Sequence, residues 1–548
     1  MKHSRDNIAQ FRLLLGLFTL FNLLQAAFTG LLHDEAYYWV YSQNLDWGYF
    51  DHPPMVAIFI AADWLWHHPL MTRLVAVVGM SVALWFVYHR VAKSWNPKPF
   101  FLIFLSLALL SSYSFLIVPD TALILFSIAF FISLRSYIEK DSWKNAAWLM
   151  LWIALLFYSK YHAVLWVLFT LIAWTALFRR PSFYAVTIGA VALCLPHILW
   201  QVDHDFISLQ FHLQDRSQTP YQLTNTTEYL LGQLLIIGPL TFWFWFNRMS
   251  KPEKGNIWER ILVLNFWGVL AFFFLMTFKG RVEANWTVMA HVPAFLLLVS
   301  RPLNLEKKNT KLFYKLSLAT VAILLLLRVS LMLPLNQWIS IPIKSEFFAW
   351  KDWALEIQGK AEGKSVVFAS SYQRPSLYMY YTGDTAISHN SVHYRANQYD
   401  LWDYAQSMEG KEVLFVTRNQ IEKFETDLFS ADGQLWFKRV KNYPPICYLV
   451  FEAKEAKMET EPGKELNVGG NWKGRTDLLS AKITLHATWY RDGSITESYP
   501  IEMTETEDNW TTSLISPLFP GDYRLKISPS YSPLEPTVIG PFIKVVVK

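Results

Sequence analysis

The sequence predicts a polytopic α-helical membrane protein with an α/β domain and a β-sandwich domain at its C-terminal end. Hydrophobic residues make up 53% of the 548 residues and charged residues only 17%, against roughly 25% charged in ordinary soluble proteins. Before Pro334 the chain is a series of apolar runs, and after it Lys, Glu and Asp recur every few residues. We therefore predict three domains, over residues 1–334, 335–452 and 453–548.

The first domain contains about eleven apolar segments on the scale of a membrane span, which needs about 20 apolar residues. The stretch from Phe11 to Leu32 is longer than the ~7–15 residues of a signal-peptide core, so we interpret it as the first span. The predicted spans are residues 10–32, 70–92, 100–118, 121–138, 145–159, 162–178, 182–200, 227–247, 260–278, 285–300 and 312–333.

The charges of the loops predict the orientation. With the N-terminus in the cytoplasm, about 20 Lys and Arg residues fall in cytoplasmic segments and about four in outside loops, which is the bias expected of membrane proteins. An odd number of spans then places the C-terminal domains on the extracytoplasmic side.

The C-terminal domains are predicted from their patterns. Strand-like runs at 365–370 and 413–417 alternate with helix-like stretches, which is typical of a small α/β domain. A charged linker is expected over 453–465. Residues 466–548 alternate apolar and polar positions between turns, as in a β-sandwich. No catalytic spacing stands out in either domain, so we interpret them as a scaffold or acceptor-docking module. Neither Cys194 nor Cys447 lies in a metal or redox motif.

The first outside loop carries the most chemistry. Asp34 and Glu35 leave the first span together, Asp51 and His52 follow about 16 residues later, and the loop holds no Lys or Arg. One carboxylate could accept a proton from an incoming hydroxyl, and His52 could contact a phosphate or a metal. Aromatic rings between them, including Tyr37, Tyr38 and Tyr49, could stack on a sugar. The alternatives are that Asp34 caps a helix and that the rings form an interfacial belt.

Four cations depart from the outside charge bias: Lys160, Arg216, Lys279 and Arg281. A phosphate leaving group needs cations at the membrane face, and Arg and Lys are suited to that contact. They could instead extend towards the headgroups or pair with Asp215 and Glu283. His204 and His212 are as consistent with packed histidines as with ligands.

Four blocks of this sequence resemble a known family. The segments 33–55, 158–162, 200–216 and 279–286 are similar, in order, to the bacterial GT-C glycosyltransferases related to protein O-mannosyltransferases and to the aminoarabinose transferase of lipid A. The resemblance covers most of residues 8–300 and none of 345–548. It implies an inner-membrane enzyme that moves a sugar from a polyprenyl-phosphate carrier to a lipid or glycan acceptor, such as lipid A or a core sugar, outside the cytoplasm.

The resemblance also implies roles for individual residues. Asp34 takes the place of the catalytic base, with Glu35 beside it, in a displacement expected to be inverting. Asp51 and His52 stand where the aminoarabinose enzymes have Glu and Lys, so His52 is expected at the donor phosphate, together with Lys160, Arg216, Lys279 and Arg281. Asp51 and His204 are candidate ligands of a divalent metal, the one cofactor implied. Substrate binding is expected of Tyr37, Tyr38, Tyr49, His204, Glu283 and Asn285.

Two alternatives remain open at the level of sequence. A protein O-glycosyltransferase would use the same donor and transfer to protein hydroxyls. A transporter or lipid-linked sugar binding protein is a different class, in which ionisable residues usually lie near the bilayer midplane. Here they lie in outside loops and at helix ends. Nothing in the sequence predicts binding to nucleic acid.

Overall fold

The computed structural model of the chain forms two compact units, residues Met1–Ser217 with Tyr221–Phe347, and Gln218–Pro220 with Phe348–Lys548. The predicted domain boundary at 334–335 falls outside the described residues. The structure describes residues 2–93, 95–213, 221–250, 252–301, 307–333, 347–418, 425–430, 433–443, 449–474, 483–492, 494–502, 504–505, 509–531, 535–538 and 540–548.

All regular secondary structure in the described residues of the first unit is helical. Short 3-10 helices lie at Ala61–Leu65, Thr175–Arg179 and Ala284–Thr287. The α-helices are α1 Lys2–Phe28, α2 His33–Gln43, α3 Met55–Ile60, α4 Pro69–Arg90, α5 Pro97–Ser106, α6 Ala108–Ser112, α7 Pro119–Glu139, α8 Trp143–Ser159, α9 Ala163–Ala173, α10 Pro181–Leu193, α11 Leu195–Asp203, α12 Ile207–Leu213, α13 Leu223–Ile237, α14 Phe242–Arg248, α15 Ile257–Met276, α16 Val288–Ser300 and α17 Lys308–Met332.

Each predicted span corresponds to a helix or to a broken pair of helices. In the described part, α1, α4, α7, α15 and α17 are long and apolar enough to cross a membrane, and two bent pairs, α10 with α11 and α13 with α14, bring the number to seven. The remaining four predicted spans are shorter helices, α5 with α6, α8, α9 and α16. Two of these apolar runs are interrupted by helix breaks at Leu107 and Trp174 that hydropathy does not register. The other two, α8 and α16, are 17 and 13 residues long.

Proline and glycine explain the two bends. Pro196 stands at the start of α11, where α10 and α11 meet at 47°, and a proline cannot donate the hydrogen bond that would continue the preceding helix. Gly238 and Pro239 separate α13 from α14, which meet at 92°.

The outer surface of the first unit is apolar. On α1, four leucines spaced three or four residues apart are exposed, by 43–63%: Leu13, Leu17, Leu20 and Leu24. Only 28% of the apolar stretch of α1 is buried inside the protein. The exposed leucine stripe therefore faces lipid rather than water. The opposite side packs on aromatic rings, as where Phe11 stacks on Tyr88 at a centroid distance of 3.9 Å. The chain is a multi-pass membrane protein, as predicted.

The second unit begins with an α/β part. It contains α18 Trp350–Ala361, α19 Gln373–Thr382, 3-10 helices at Gln398–Asp400 and Asp403–Met408, and strands β1 Val366–Ala369, β2 Ala386–His389, β3 Val413–Thr417, β4 Glu425–Ser430 and β5 Gly433–Val440. The strand order is β2-β1-β3-β5-β4. The first three strands are parallel and β5 is antiparallel to β3, so the α/β prediction is confirmed.

A two-sheet sandwich follows, as predicted. Its strands are β6 Leu449–Ala453, β7 Lys457–Thr460, β8 Glu465–Gly474, β9 Ile483–Arg491, β10 Ser494–Ile501, β11 Thr504–Glu505, β12 Asn509–Ile515, β13 Gly521–Tyr531 and β14 Phe542–Val547. The sheets have the orders β10-β9-β13-β14-β7 and β11-β12-β8-β6. Trp489 from one sheet and Trp510 from the other lie in a single buried core.

One prediction for this unit is wrong. The segment 453–465, expected to be a linker, contains β7, which pairs with β14 in parallel. The charged residues of this segment suggested a linker, but β7 is an edge strand and packs against the sheet on one side only, so it can carry charged side chains. The sandwich also contacts the α/β part: Val538 N donates to Asn390 O and Val392 N to Pro536 O, both at 2.8 Å. These contacts cover the end of β2 at which open α/β sheets usually bind ligands.

Candidate functional site

A buried ion pair fixes the start of α2. Glu35 accepts hydrogen bonds from Arg73 of α4 at 2.8 Å (Nε to Oε1) and 2.5 Å (Nη2 to Oε2), and both side chains are 0% exposed. The backbone N–H groups of Leu32 and Ile117 donate to the same carboxylate at 3.0 and 2.9 Å. Such a pair is retained in an apolar interior only when its hydrogen bonds are satisfied, and here they join three segments of the unit.

This arrangement does not support the catalytic role predicted for Glu35. Its oxygens are held by four donors and have no access to solvent. The neighbouring Asp34 is different, because its side chain is 36% exposed and its Oδ1 lies 3.7 Å from His33 Nε2. Glu35 therefore positions α2, while Asp34 is the carboxylate of the pair that a substrate could reach.

Asp34 shares a helical face with two tyrosines that lead to the second acidic motif. Tyr38 and Tyr41 follow Asp34 by four and seven residues, the spacing of one face of a helix. Tyr41 donates to Asp51 Oδ1 at 2.5 Å, and the ring of Tyr38 lies 5.4 Å from that of His52. Burial, followed by the charge of Asp51, raises the pKa of Tyr41 far above its ordinary value, so Tyr41 keeps the proton that it donates. The two motifs of the loop thus lie along one side of α2.

A group of histidines continues this surface. His212 of α12 contacts the carbonyl oxygen of Asp51 through Nε2 at 2.9 Å, and its ring centroid lies 6.2 Å from that of His52 and 6.4 Å from that of His162. His162 in turn packs at 5.5 Å from Trp286. The sequence analysis treated His212 as equally consistent with a packed histidine and did not select His162, because the spacing of these residues in the chain does not reveal that they meet.

Beside Trp286 lies a second buried ion pair. Lys160 at the end of α8 donates to both carboxylate oxygens of Asp120, at 2.8 and 2.9 Å, and Asn285 donates to Asp120 Oδ2 at 3.0 Å. Lys160 is 4% and Asp120 1% exposed. The charge of Lys160 is thus offset within the protein, and a phosphate would have to share this ammonium with Asp120. Lys160 and Asn285 therefore both contact Asp120 in the structure, and their predicted contacts with the donor and the substrate stay predictions.

Tyr113 lies within electrostatic range of both Asp34 and Asp120. Both Asp120 and Asp34 act electrostatically on its buried phenol. Asp34, Asp120 with Lys160, and the histidine group therefore surround one region at the same end of the helices. Of the predicted residues, this region contains Asp34, Asp51, His52, Tyr38, Lys160 and Asn285.

Other predicted site residues lie differently. Tyr37 and Tyr49 are 1% and 0% exposed, and Tyr49 stacks on Tyr41 at 4.1 Å. Both belong to the packed interior, so the prediction that they contact substrate is not supported. His204 stacks on Trp200 at 4.1 Å, and its Nδ1 lies 2.9 Å from the Trp200 carbonyl.

The remaining predicted cations lie in the 277–283 loop or outside the described residues. Lys279 is exposed, and Arg281, whose side chain is 71% exposed, lies 4.0 Å from Glu283. This loop leads directly into the 3-10 helix that carries Asn285. Arg216 falls in a segment outside the described residues.

A metal site does not form from the predicted ligands. In the part of the chain that the structure describes, no group of three or more His, Cys, Asp or Glu side chains is placed to hold a metal ion. Asp51 Oδ1 already accepts from Tyr41, and His204 packs on Trp200. These two side chains therefore do not fit the predicted metal site.

Comparison with solved structures decides the fold. The crystal structure of ArnT from Cupriavidus metallidurans in the apo state matches with a TM-score of 0.57 at 9% identity, over 79% of this chain and 98% of that chain. The same protein bound to undecaprenyl phosphate gives 0.55 at 10% identity, over 78% and 97%. This chain has the same fold as ArnT.

Sequence comparisons find two further similarities. The model of the family described as dolichyl-phosphate-mannose-protein mannosyltransferase matches residues 51–200. The lipid A galacturonosyltransferase RgtD from Rhizobium johnstonii (strain DSM 114642 / LMG 32736 / 3841) is 30% identical over 310 residues, which is 52% of this chain. The match spans 63% of the length of that relative. The predicted resemblance is confirmed.

The candidate site also contains residues that the sequence analysis did not select. Arg73 supports Glu35, and Asp63 anchors the other end of α2 by accepting from Trp39 Nε1 at 2.8 Å and from Thr72 Oγ1 at 2.9 Å. The sequence contains one feature that could have identified Arg73. It is a charged residue inside a predicted span, and such a residue usually has a buried partner. No pattern in the sequence pairs Asp120 with Lys160.

Proposed function

We propose that this protein transfers a sugar from a polyprenyl-phosphate carrier to a hydroxyl of an envelope lipid or glycan, with lipid A as the preferred acceptor class, on the extracytoplasmic side of the inner membrane. The observation that carries the proposal is the contrast within the acidic pair. Glu35 is locked and buried, whereas Asp34 is exposed at the edge of a region bordered by histidines, aromatic rings and a buried ion pair.

The chemistry follows from this placement. The acceptor hydroxyl attacks the anomeric carbon of the sugar, and the bond from that carbon to the carrier phosphate breaks on the opposite face. The hydroxyl proton passes to the carboxylate of Asp34, which acts as general base, and the carrier leaves as a polyprenyl phosphate. The configuration at the anomeric carbon is therefore inverted.

The departing phosphate gains negative charge, which fixed cations stabilise in the transition state. Lys279 and Arg281 are exposed in the loop that enters the site, whereas Lys160 is committed to Asp120. We therefore assign the phosphate contact first to Lys279 and Arg281. His52 would add to this contact when it is protonated. Lys160 and Asn285 hold Asp120, and with it the start of α7, in place.

The relatives support the choice of donor and acceptor. ArnT has been crystallised with undecaprenyl phosphate, and RgtD acts on lipid A. The family matched at residues 51–200 is described as a protein mannosyltransferase, which favours protein hydroxyls as the second candidate acceptor. The comparisons support transfer rather than transport. The positive charge of the alternate loops supports the extracytoplasmic placement of the site and of the second unit.

The test is transfer from a radiolabelled polyprenyl-phosphate sugar in membranes containing the full chain. Asp34→Asn keeps the shape of the side chain and removes the base, so we expect transfer to fall by about 10²–10⁴-fold. Asp203→Asn, an exposed aspartate at the end of α11, is the matched control and should transfer normally. Transfer by Asp34→Asn at the wild-type rate would refute the assigned base.

The acceptor is identified in the same cells. Mass spectrometry of lipid A, envelope glycan and membrane protein, from cells with and without the chain, should show a mass difference of one sugar on the lipid or glycan fraction. A difference confined to protein would establish the second candidate instead.

A further inference from the structure

A polar cavity of about 630 Å³ lies at the opposite end of the helices from the candidate site. Three helices establish this placement. Asp120 lies in the first turn of α7, whose other end lines the cavity, and 21 residues of α-helix extend about 31 Å. Ser300 ends α16, which begins just after Asn285, and Ile257 begins α15, which runs towards the loop of Lys279. The cavity therefore lies near the far membrane interface, outside the proposed transfer site.

Two of the charge pairs in the cavity are satisfied internally. Arg301 donates to Glu259 through Nε at 2.7 Å and through Nη2, and the side chains are 13% and 4% exposed. Arg135 pairs with Glu139 at 3.1 Å and lies over the ring of Trp258 at 5.0 Å. These four groups balance one another and form the wall of the cavity.

Two further charged groups remain. Arg248 at the end of α14 is partly buried, and its Nε is buried without a hydrogen-bond partner among the described residues. Glu253 is exposed and acts electrostatically on Arg248 and Arg301, but within the described part of the chain it has no ion-pair partner within 4.0 Å. A buried guanidinium N–H without an acceptor is costly, so a ligand oxygen in the cavity would lower the free energy of this state.

We propose that this cavity binds the headgroup of a zwitterionic phospholipid of the phosphoethanolamine class, with the phosphate on Arg248 and the ammonium on Glu253. Arginine suits a phosphate because its fork of N–H groups matches the phosphate oxygens. One unmatched cation beside one unmatched carboxylate fits a ligand that carries both charges better than a simple anion. The position of the cavity at the helix ends fits a lipid, since helix ends and their Trp and Arg residues lie at the level of the lipid headgroups.

Native mass spectrometry of the purified, delipidated full chain tests the proposal. The probes are palmitoyl-oleoyl phosphatidylethanolamine, the matching phosphatidylglycerol, and soluble O-phosphoethanolamine. We expect one phosphatidylethanolamine to be retained more strongly than phosphatidylglycerol. Arg248→Gln should lower its occupancy at least fivefold, and Glu253→Gln should abolish the preference over phosphatidylglycerol. Arg260→Gln, an exposed arginine on α15 that does not line the cavity, is the matched control.

Several outcomes would overturn the proposal. Equal phosphatidylethanolamine occupancy in wild type and Arg248→Gln would remove the phosphate contact. Binding of O-phosphoethanolamine as strong as that of the lipid would indicate a soluble ligand, and a preference for phosphatidylglycerol in the wild type would indicate a site for anions. Glu253→Gln changes an exposed side chain, so it remains informative if Arg248→Gln does not fold. Lipid retention is measured without sugar transfer, so it stands or falls separately from the proposed function.

Discussion

The ion pair between Glu35 and Arg73 makes a strong prediction about the first unit. Arg73→Met removes the cation and leaves the Glu35 carboxylate buried among apolar groups and two backbone donors. Breaking a buried ion pair by removing one partner costs about 3–5 kcal/mol. The change also removes the donors that satisfy the carbonyl oxygens of Ala26, Thr29 and Gly30 at 3.2, 2.7 and 2.8 Å. We therefore expect Arg73→Met to lower the free energy of unfolding by an amount at the upper end of this range.

The partner variant should cost less. In Glu35→Gln the amide oxygen can still accept from Arg73 or from Ile117, and Arg73 keeps its three carbonyl partners. We expect Glu35→Gln to lower the free energy of unfolding by about 3 kcal/mol. Since the two side chains are in direct contact, the double variant should be less destabilised than the sum of the singles by about 1–3 kcal/mol.

The assay is unfolding of the full chain in mixed micelles, followed by the far-ultraviolet circular dichroism of the helices. Arg135→Gln and Glu139→Gln form the matched cycle in the same unit, because that pair is 37% and 64% exposed and should contribute only about 0.3–0.5 kcal/mol. Additive effects at Glu35 and Arg73, or effects as small as those of the control pair, would refute the reasoning.

Three further predictions concern other parts of the molecule. Lys160→Met should cost about 3–5 kcal/mol in the same unfolding assay, because it leaves Asp120 charged and buried. Gly48→Ala should cost about 1–3 kcal/mol, because a Cβ at that position would lie 2.4 Å from Cε3 of the Trp200 ring. In the second unit, burial raises the pKa of Asp400 to about 6. Its proton is therefore held in the folded state and released in the unfolded state between about pH 4 and 6. Stability falls as pH rises through that window, by about 3 kcal/mol, and Asp400→Asn should remove this dependence in a denaturant series across pH.

Each of these predictions has a control. Adding Asp120→Asn to Lys160→Met should recover part of the loss, and equal stability of the single and double variants would contradict the pairing. Gly232 has open space where a Cβ would be added, so Gly232→Ala should not destabilise the protein. If the Gly48→Ala variant were as stable as the Gly232→Ala variant, the steric argument would be contradicted. His389 lies in the same unit, and burial lowers its pKa to about 4, so it gives a slope of opposite sign. The comparison is therefore Asp400→Asn against wild type, and identical pH profiles would contradict the shift.

Much of the architecture was predictable because it follows from local pattern. Apolar runs on the scale of a bilayer identified α1, α4, α7, α15 and α17, since a helix in lipid must satisfy its backbone internally and cover itself with apolar side chains. A short apolar run identified β3, and alternation identified β9. The length of a helix was less predictable, because breaks at Leu107 and at Gly238 depend on packing and backbone conformation.

The candidate site was predictable only in part. The acidic pair and the Asp51-His52 motif were found because they are charged, close in sequence and in a loop without cations. Their roles then diverged, since Glu35 turns inward to Arg73 while Asp34 remains exposed, and adjacent residues on a helix point in different directions.

From the sequence alone one obtains the membrane spans, the charge bias of the loops, the two kinds of C-terminal domain and the acidic motifs of the first loop. These depend on composition and on residues near one another in the chain. Only the tertiary structure decides which charges are already paired: Glu35 with Arg73 across 38 positions, Lys160 with Asp120 across 40, and Glu259 with Arg301 across 42. The reason is physical, because a buried charge takes its role from the partner that packing brings to it, and packing joins residues that the chain keeps far apart.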